Sequence, residues 1–289
     1  MTDSPASSAD TLFAIRALEV ALPDMAAKPV FGRAPLIRII NGVDLDIARG
    51  SVLGIVGGSG SGKSTLGRAL LRLIEPTAGS ITFDGRDITH LGEDALRPIR
   101  RRMQMIFQDP MSSLNPRMRV RDIIGEAPVV HGIVAPDAID DYVDELMLRV
   151  GLDPLFKRRF PHQFSGGQRQ RICIARALAV RPKFLVCDEA IAALDVSIQA
   201  QVINLFMELR RDLKLTYLFI SHDLGVVEHL SDRVVIMYLG RVVETAMTEA
   251  LFDNPNHPYT AALLAEVPRI ENRARAFMPV KGEIPSPID

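Results

Sequence analysis

Several features are scarce in this chain, and each shortage excludes a class of protein. The sequence has only two cysteines, Cys173 and Cys187, in apolar runs without the paired spacing of a metal or redox site. We therefore predict two buried, reduced thiols. No uncharged apolar run approaches the roughly 18 residues that span a bilayer, and the polar, acidic N-terminus does not resemble a signal peptide. These observations predict a cytosolic chain, unless a partner holds it elsewhere.

Neither sign of charge is in excess. The 34 Lys and Arg residues are balanced by 35 Asp and Glu residues, which leaves a formal net charge of −1. Nucleic-acid-binding domains usually carry a clear basic excess. The charge totals therefore argue against a nucleic-acid partner. The chain of 289 residues is long enough for one or two domains with a substantial core.

The most informative stretch runs from Gly57 to Ser64 and reads GGSGSGKS. It matches the pattern G-x-x-x-x-G-K-[S/T] of a phosphate-binding P-loop, and it lies between an apolar run at 52–56 and a helix pattern at 66–74. Its glycines let backbone N–H groups converge on phosphate oxygens at the positive end of the following helix. Lys63 would supply a charge to the outer phosphates and Ser64 a hydroxyl to Mg²⁺. The loop predicts binding of a nucleoside triphosphate.

Polar side chains follow three apolar segments that we predict to be buried strands. They are Gln108 after 103–107, Asp188 and Glu189 after 183–187, and His222 after 216–220. Open parallel sheets bind ligands beyond the carboxyl ends of their strands. Adjacent carboxylates project to different faces, so Asp188 suits a Mg²⁺ shell, whereas Glu189 could orient and deprotonate a water. Taken singly, Gln108 is also typical of a turn, and His222 of an ordinary surface or core residue.

A helical region follows Gln108. Strand patterns give way to helix patterns over 109–164, notably at 138–150, which predicts a helical subdomain inserted into the sheet domain. The sequence FSGGQ at 164–168 then precedes a helix that we predict to end before Pro182. Ser165 is a natural N-cap, and its hydroxyl with two glycine N–H groups would form a second anion-binding helix start. The alternative is simply a well-capped helix.

Periodicity predicts the remaining elements. They are an edge strand at 12–21, strands at 43–47 and 80–83, and a hairpin at 234–243. We expect residues 1–9 to form a disordered tail. The proline-rich segment 250–289 is expected to be an extended appendage.

Taken together, these motifs resemble the nucleotide-binding domain of ATP-binding cassette (ABC) transporters. They are, in order, the P-loop, Gln108, FSGGQRQR at 164–171, CDE at 187–189 and SH at 221–222. The motif FSGGQRQR is the most specific of them. The resemblance implies an α/β fold, a P-loop NTPase core of the ABC type with a mixed sheet. It also implies a division into a tail at 1–11, an ATP-binding core at 12–108 and 181–249, a helical signature subdomain at 109–180 and a C-terminal extension at 250–289.

The resemblance further implies a head-to-tail dimer that holds two ATP molecules between its subunits. The phosphates would be held by Gly57, Gly58, Ser59, Gly60, Ser61, Gly62, Lys63, Ser64 and Thr65. The γ-phosphate of the ATP on the partner subunit would be capped by Ser165, Gly166, Gly167 and Gln168. Mg²⁺ would be held by Ser64, Gln108 and Asp188. The catalytic residues implied are Glu189 as general base, Gln108 and the γ-phosphate contact His222, with Asp195 in a cross-dimer loop.

Four longer stretches narrow the resemblance. They are FQDPMSSLNPR at 107–117, DVSIQAQV at 195–202, NPNHPYTAAL at 254–263 and KGEIPSP at 281–287. They look like the oligopeptide/dipeptide/nickel importer ATPases, and more like the second of the two ATPase subunits that such importers carry. That resemblance implies a sister ABC ATPase in a heterodimer, or a homodimer, and two transmembrane permease subunits that dock just after Gln108. It also implies an extracytoplasmic solute-binding protein and a peripheral position on the cytoplasmic face of the inner membrane.

The sequence departs from the family pattern in two features. The adenine-stacking aromatic near the first strand aligns with Leu22 without a gap, or with Phe31 across an apparent insertion. Many relatives carry a cysteine-bearing C-terminal tail that can hold an iron–sulfur cluster. This sequence has no such cysteines, so we expect ATP and Mg²⁺ but no iron–sulfur cluster.

The leading hypothesis is the ATP-hydrolysing subunit of a membrane ABC importer for a peptide-like solute. The first alternative is a soluble ABC-type ATPase that acts on nucleic acid or ribosomes, which the single cassette and near-neutral charge disfavour. The second, a small-molecule kinase, would have no use for FSGGQ. The direction of transport rests on the resemblance alone, and the sequence leaves the solute and the equality of the two ATP sites open.

Overall fold

The chain divides into two compact units. The computed structural model describes residues 10–24, 32 and 34–265. One unit consists of the described parts of Met1–Gly92 and Ser221–Asp289, and the other is Glu93–Ile220. Each unit combines β-strands with helices, as an α/β protein requires. The tail expected at 1–9 lies outside the described residues.

The strands of the described residues run as follows. They are β1 (Thr11–Pro23), β2 (Leu36–Ala48), β3 (Val52–Val56), β4 (Ala78–Phe83), β5 (Arg86–Asp87), β6 (Met103–Ile106), β7 (Phe184–Asp188), β8 (Thr216–Ile220), β9 (Arg233–Tyr238) and β10 (Arg241–Met247). The strands predicted at 52–56 and 216–220 are confirmed to the residue, and the predicted hairpin is formed by β9 and β10.

The prediction that the first strand lies at a sheet edge is wrong. In the first unit, β1 pairs antiparallel with β2 on one side and with β4 on the other. Strand alternation shows only that one face is buried, and a central antiparallel strand shows it equally. The inner face of this sheet carries Phe13 and Phe83, whose ring centroids are 4.8 Å apart, beside Ile15 and Ile47.

The helices of the described residues lie between and after these strands. They are α1 (Lys63–Leu70), α2 (Glu93–Arg100), α3 (Pro110–Ser113), α4 (Val120–Val130), α5 (Ile139–Arg149), α6 (Gly166–Leu178), α7 (Val196–Leu213), α8 (Leu224–Leu230), α9 (Thr248–Asp253) and α10 (Pro258–Ala265), with short 3-10 helices at Pro154–Phe156 and Pro161–Gln163. None of the helices in the described part of the chain is long and apolar enough to cross a membrane.

Two helix predictions need correction. The helix after the P-loop ends at Leu70 and not at Ile74, because Arg72 adopts a left-handed φ of 54° and its Nε donates to the carbonyl of Ile88 at 3.0 Å. The described part of the segment predicted to be extended, residues 250–265, is not simply extended, since α9 and α10 include much of it. Residues 266–289 of that prediction lie outside the described residues. Pro258 is the first residue of α10, where the missing N–H removes no helical hydrogen bond.

In the second unit, β6, β7 and β8 are parallel, so their carboxyl ends lie at the same edge of the sheet. Strand β7 pairs with β6 on one side and β8 on the other, with Ile106 opposite Cys187 and Asp188 opposite Ile220. All residues of β7 and β8 are buried, which explains their continuous apolar runs. In the first unit β3 runs parallel to β9, and β9 turns into β10 through Leu239 and Gly240.

Candidate functional site

The P-loop connects β3 to α1 and is packed too closely for side chains at two glycines. A Cβ atom on Gly57 would lie 2.2 Å from the backbone oxygen of Met237, and one on Gly62 would lie 2.8 Å from the backbone oxygen of Ile39. Gly62 also has a φ of 97°, a conformation that L side chains rarely adopt. The backbone of the loop is therefore held against Met237 and Ile39, which leave no room for a Cβ at either glycine.

Lys63 begins α1 and is directed into the loop. Its side chain is buried, and Nζ donates to the carbonyl oxygens of Gly57 and Gly58, both at 2.7 Å. The first turn of α1 carries no acidic side chain, so the positive end of the helix is not neutralised from within that turn. Around this start, Ser59 and Gly60 are exposed, Ser61 and Gly62 are buried, and Ser64 and Thr65 are half-buried. This geometry suits an anionic ligand such as a polyphosphate.

The second unit brings Gln108 and Glu189 into direct contact. Gln108 Nε2 donates to Glu189 Oε2 at 2.7 Å, across 81 residues of sequence. Asp188, the last residue of β7, is buried, whereas Glu189 is half-buried. The two adjacent carboxylates therefore differ in their exposure to solvent.

Glu189 has an unusual backbone conformation. Its φ is +48°, although it is not a glycine, and its N–H donates to the carbonyl of Ile220 at 2.9 Å. A left-handed conformation costs about 1–2 kcal/mol for an L residue. Strain of this kind persists where the surrounding structure imposes it, and it is concentrated at active sites.

The sequence FSGGQ forms the start of α6. Ser165 is the N-cap, and its Oγ accepts from the N–H of Gln168 at 3.3 Å, while Gln168 Oε1 accepts from the N–H of Ser165 at 2.9 Å. This reciprocal capping box was not part of the sequence analysis, although the S-x-x-Q spacing would have indicated it. A Cβ on Gly167 would lie 2.5 Å from Cγ2 of Ile198 in α7. A hydroxyl that accepts a hydrogen bond can still donate its own proton to an anion.

The other candidate residues lie at element boundaries. Asp195 is the exposed N-cap of α7, and within the described residues its side chain makes no capping hydrogen bond. His222 is exposed and follows Ser221, whose N–H donates to the carbonyl of Ile55 in β3 at 3.2 Å. Of the two adenine-stacking candidates, Leu22 is half-buried in β1 opposite Ile37. Phe31 lies outside the described residues.

Both cysteines are free and buried, as predicted. Burial raises the pKa of the Cys187 thiol and of the Cys173 thiol. Cys173 Sγ also lies 3.2 Å from Ser113 Oγ. Neither thiol has the lowered pKa of a reactive cysteine.

One contact to the P-loop is not predicted by the sequence patterns. The hydroxyl of Tyr259 accepts a hydrogen bond from the N–H of Gly58 at 2.9 Å. The nearest signal in the sequence is the stretch NPNHPYTAAL, which indicates the family but assigns Tyr259 no role.

Two family models match the chain. The model described as ABC transporter matches residues 40–192, and the model described as oligopeptide/dipeptide transporter, C-terminal region, matches residues 243–289. Together they include the P-loop, FSGGQRQR, the CDE strand end and the HPY stretch.

Curated relatives are similar over most of the chain. The oligopeptide transport ATP-binding protein AppF of Bacillus subtilis (strain 168) is 52% identical over 257 residues, which are 88% of this chain and 78% of AppF. A putative peptide import ATP-binding protein of Brucella ovis is 51% identical over 264 residues, 91% of this chain and 83% of that protein.

Solved structures have the same fold. The structure of cbiO1 from Clostridium perfringens, part of the ABC transporter complex cbiONQ, matches with a TM-score of 0.72 at 28% identity, covering 85% of this chain and 92% of cbiO1. A dimeric ATP-binding cassette in a post-hydrolysis state, bound to ADP and phosphate, matches with a TM-score of 0.72 at 26% identity, covering 82% of this chain and 99% of that one.

These findings confirm the ABC-type P-loop fold and ATP hydrolysis, and they do not favour an ATPase that acts on nucleic acid or ribosomes. The chain belongs to the ABC transporter family, as an ATPase that carries the C-terminal region found in oligopeptide/dipeptide transporters.

Proposed function

We propose that this chain is the ATP-hydrolysing subunit of a membrane importer for a peptide-like solute. The observation that carries the proposal is the match of residues 243–289 to the C-terminal region of oligopeptide/dipeptide transporters. The names of the curated relatives, oligopeptide transport and peptide import ATP-binding proteins, point to the same class of solute.

The P-loop residues 57–65 bind the phosphates of ATP. Lys63 turns its ammonium group from the carbonyls of Gly57 and Gly58 toward the phosphates, and the first N–H groups of α1 donate to them. The hydroxyl of Ser64, the amide oxygen of Gln108 and the carboxylate of Asp188 are the kind of oxygen ligand that Mg²⁺ takes. When bound, Mg²⁺ neutralises charge on the phosphates.

Glu189 is the general base. Its half-buried carboxylate can accept a proton from the attacking water, and the hydrogen bond from Gln108 Nε2 fixes the orientation of that carboxylate. Because Gln108 uses its nitrogen toward Glu189, its amide oxygen is available for Mg²⁺ or the water. His222 contacts the γ-phosphate. General-base catalysis contributes about 10²- to 10⁴-fold in rate.

Ser165, Gly166, Gly167 and Gln168 bind the γ-phosphate of ATP held by the partner subunit, and Asp195 lies in the loop that crosses the dimer. The capped start of α6 supports this role, since its first turn has no acidic residue and can receive an anion. The partner is a sister ABC ATPase, in a heterodimer or a homodimer. The division into core (12–108 and 181–249) and signature subdomain (109–180) stays a prediction.

The chain acts as a peripheral subunit on the cytoplasmic face of the inner membrane, with two permease subunits and, indirectly, an extracytoplasmic solute-binding protein. The side chain of Met111, three residues after Gln108, is 51% exposed and supports permease docking there. The absence of an iron–sulfur cluster stays a prediction, which an absorbance band near 400 nm in the purified protein would contradict.

Uptake of labelled peptides tests the proposal. Cells that lack this chain are complemented with the wild type, with Glu189→Gln, or with Glu208→Gln, a matched change at an exposed position of α7. We expect peptide uptake with the wild type and Glu208→Gln, and a loss of at least about 100-fold with Glu189→Gln. Peptide uptake that does not depend on this chain would contradict the proposed function.

A further inference from the structure

One side chain of the C-terminal region, Tyr259, contacts the P-loop. The hydroxyl of Tyr259, in α10, accepts the hydrogen bond from Gly58 N–H at 2.9 Å. The Tyr259 ring also packs against Tyr238 at the end of β9, with ring centroids 4.5 Å apart and an interplanar angle of 47°. One aromatic side chain therefore joins α10, β9 and the phosphate-binding loop.

A buried carboxylate holds the start of α10 in place. Glu244 of β10 accepts hydrogen bonds from the backbone N–H groups of Asn256 and His257, at 2.8 and 3.1 Å. Burial alone would raise the pKa of Glu244, but the hydrogen bonds that it accepts outweigh burial and lower the pKa. The carboxylate is thus charged at neutral pH, and Tyr259 lies two residues after His257, the second of the residues that Glu244 holds.

The peptide unit that joins Gly57 to Gly58 is held from both sides. Its N–H, from Gly58, donates to the Tyr259 hydroxyl, and its carbonyl oxygen, from Gly57, accepts from Lys63 Nζ at 2.7 Å. A Cβ on Gly58 would lie only 3.1 Å from the Tyr259 hydroxyl, so the contact requires a glycine or a displaced tyrosine. The tyrosine and the phosphate-binding lysine therefore bind the same peptide unit.

We propose that Tyr259 is a positioning residue for ATP binding, which fixes the peptide unit between Gly57 and Gly58 and so connects the C-terminal region to the affinity for nucleotide. A loop that is held in shape before binding loses less conformational freedom when the ligand arrives. This inference concerns ATP binding alone, so it would stand even if the chain served another solute. Failure of the peptide-uptake experiment would leave it unaffected.

The test is Tyr259→Phe, which removes the hydroxyl and keeps the ring that packs against Tyr238. A hydrogen bond of this kind corresponds to about a 3- to 10-fold change in an equilibrium constant. We expect the Kd and KM for ATP to rise by that factor, while kcat changes by less than about 2-fold. Tyr142→Phe is the matched control, because it removes a hydroxyl that donates to the Ala179 carbonyl at 2.8 Å in the other unit. An unchanged Kd or tighter binding in Tyr259→Phe would overturn the proposal.

A second variant tests the path from the anchor to the loop. Glu244→Gln weakens the attachment of α10 and should raise the Kd for ATP in the wild-type background. In the Tyr259→Phe background the same change should add less than about 2-fold, because residues that act through one contact are not additive. Two effects that multiply fully would show that Glu244 does not act through Tyr259, and the proposed connection would then be wrong.

Discussion

Replacing Gly57 by alanine should displace the P-loop backbone and weaken ATP binding, because the added methyl group has no room. The added methyl group would lie 2.2 Å from the backbone oxygen of Met237 and 2.7 Å from Ser61 Oγ. The Met237 oxygen belongs to β9, which is paired with β3 and β10, so it cannot move aside as a flexible side chain could. Overpacking of this kind costs about 1–3 kcal/mol. The displaced Gly57 carbonyl also receives Lys63 Nζ, so the lysine should move too.

Gly50→Ala is the matched control for this substitution. Gly50 has a φ of +67° with no atom within 4 Å of an added Cβ, so alanine there costs only the left-handed conformation, about 1–2 kcal/mol. Urea unfolding should show similar losses of stability for the two variants. ATP affinity, measured with a fluorescent analogue, should fall about 10-fold or more in Gly57→Ala alone. If Gly57→Ala binds ATP as Gly50→Ala does, the packing argument is wrong.

Three further outcomes are expected. Gly167→Ala should force Ile198 to shift, because the two would be 2.5 Å apart, and should reduce ATP hydrolysis while ATP binding stays within about 2-fold of the wild type. Because burial raises the thiol pKa values of Cys173 and Cys187, a thiol reagent at pH 8 should modify fewer than one thiol in minutes in the native protein and both after denaturation. The folded pKa of Glu244 lies below its unfolded value, so its stabilisation is present above about pH 4.3 and is lost as the pH falls through the folded pKa. The stability difference between the wild type and Glu244→Gln should therefore shrink in acid, as urea unfolding at several pH values can show.

Local sequence patterns were sufficient where an element is short and buried. Strands β3 and β8 are five-residue apolar runs, and both were predicted to the residue. Local patterns were not sufficient where tertiary contacts determine the sheet position or the end of an element. The edge or central position of β1 depends on β4, which lies 54 residues beyond the end of β1, and the end of α1 depends on the bond between Arg72 and Ile88.

The positions of the candidate site residues at strand ends could be predicted from the sequence, but the hydrogen bonds between them could not. The ends of parallel strands locate Gln108 and Glu189 at one edge of a sheet, because register aligns them. Glu189 makes its hydrogen bond to Gln108 from a residue whose φ is +48°, and no sequence pattern encodes that angle. The contact between Tyr259 and Gly58 spans 201 residues of sequence and joins two motifs whose patterns are unrelated. This contact could be identified only from the three-dimensional structure.

The role of Glu189 as general base is tested by phosphate release from ATP in the assembled transporter with Glu189→Gln. Bound ATP is measured in parallel, and Glu208→Gln is again the control. We predict that Glu189→Gln binds ATP within about 3-fold of the wild type and releases phosphate about 100- to 10,000-fold more slowly. Hydrolysis by Glu189→Gln at the rate of Glu208→Gln would contradict the assignment of Glu189 as the general base.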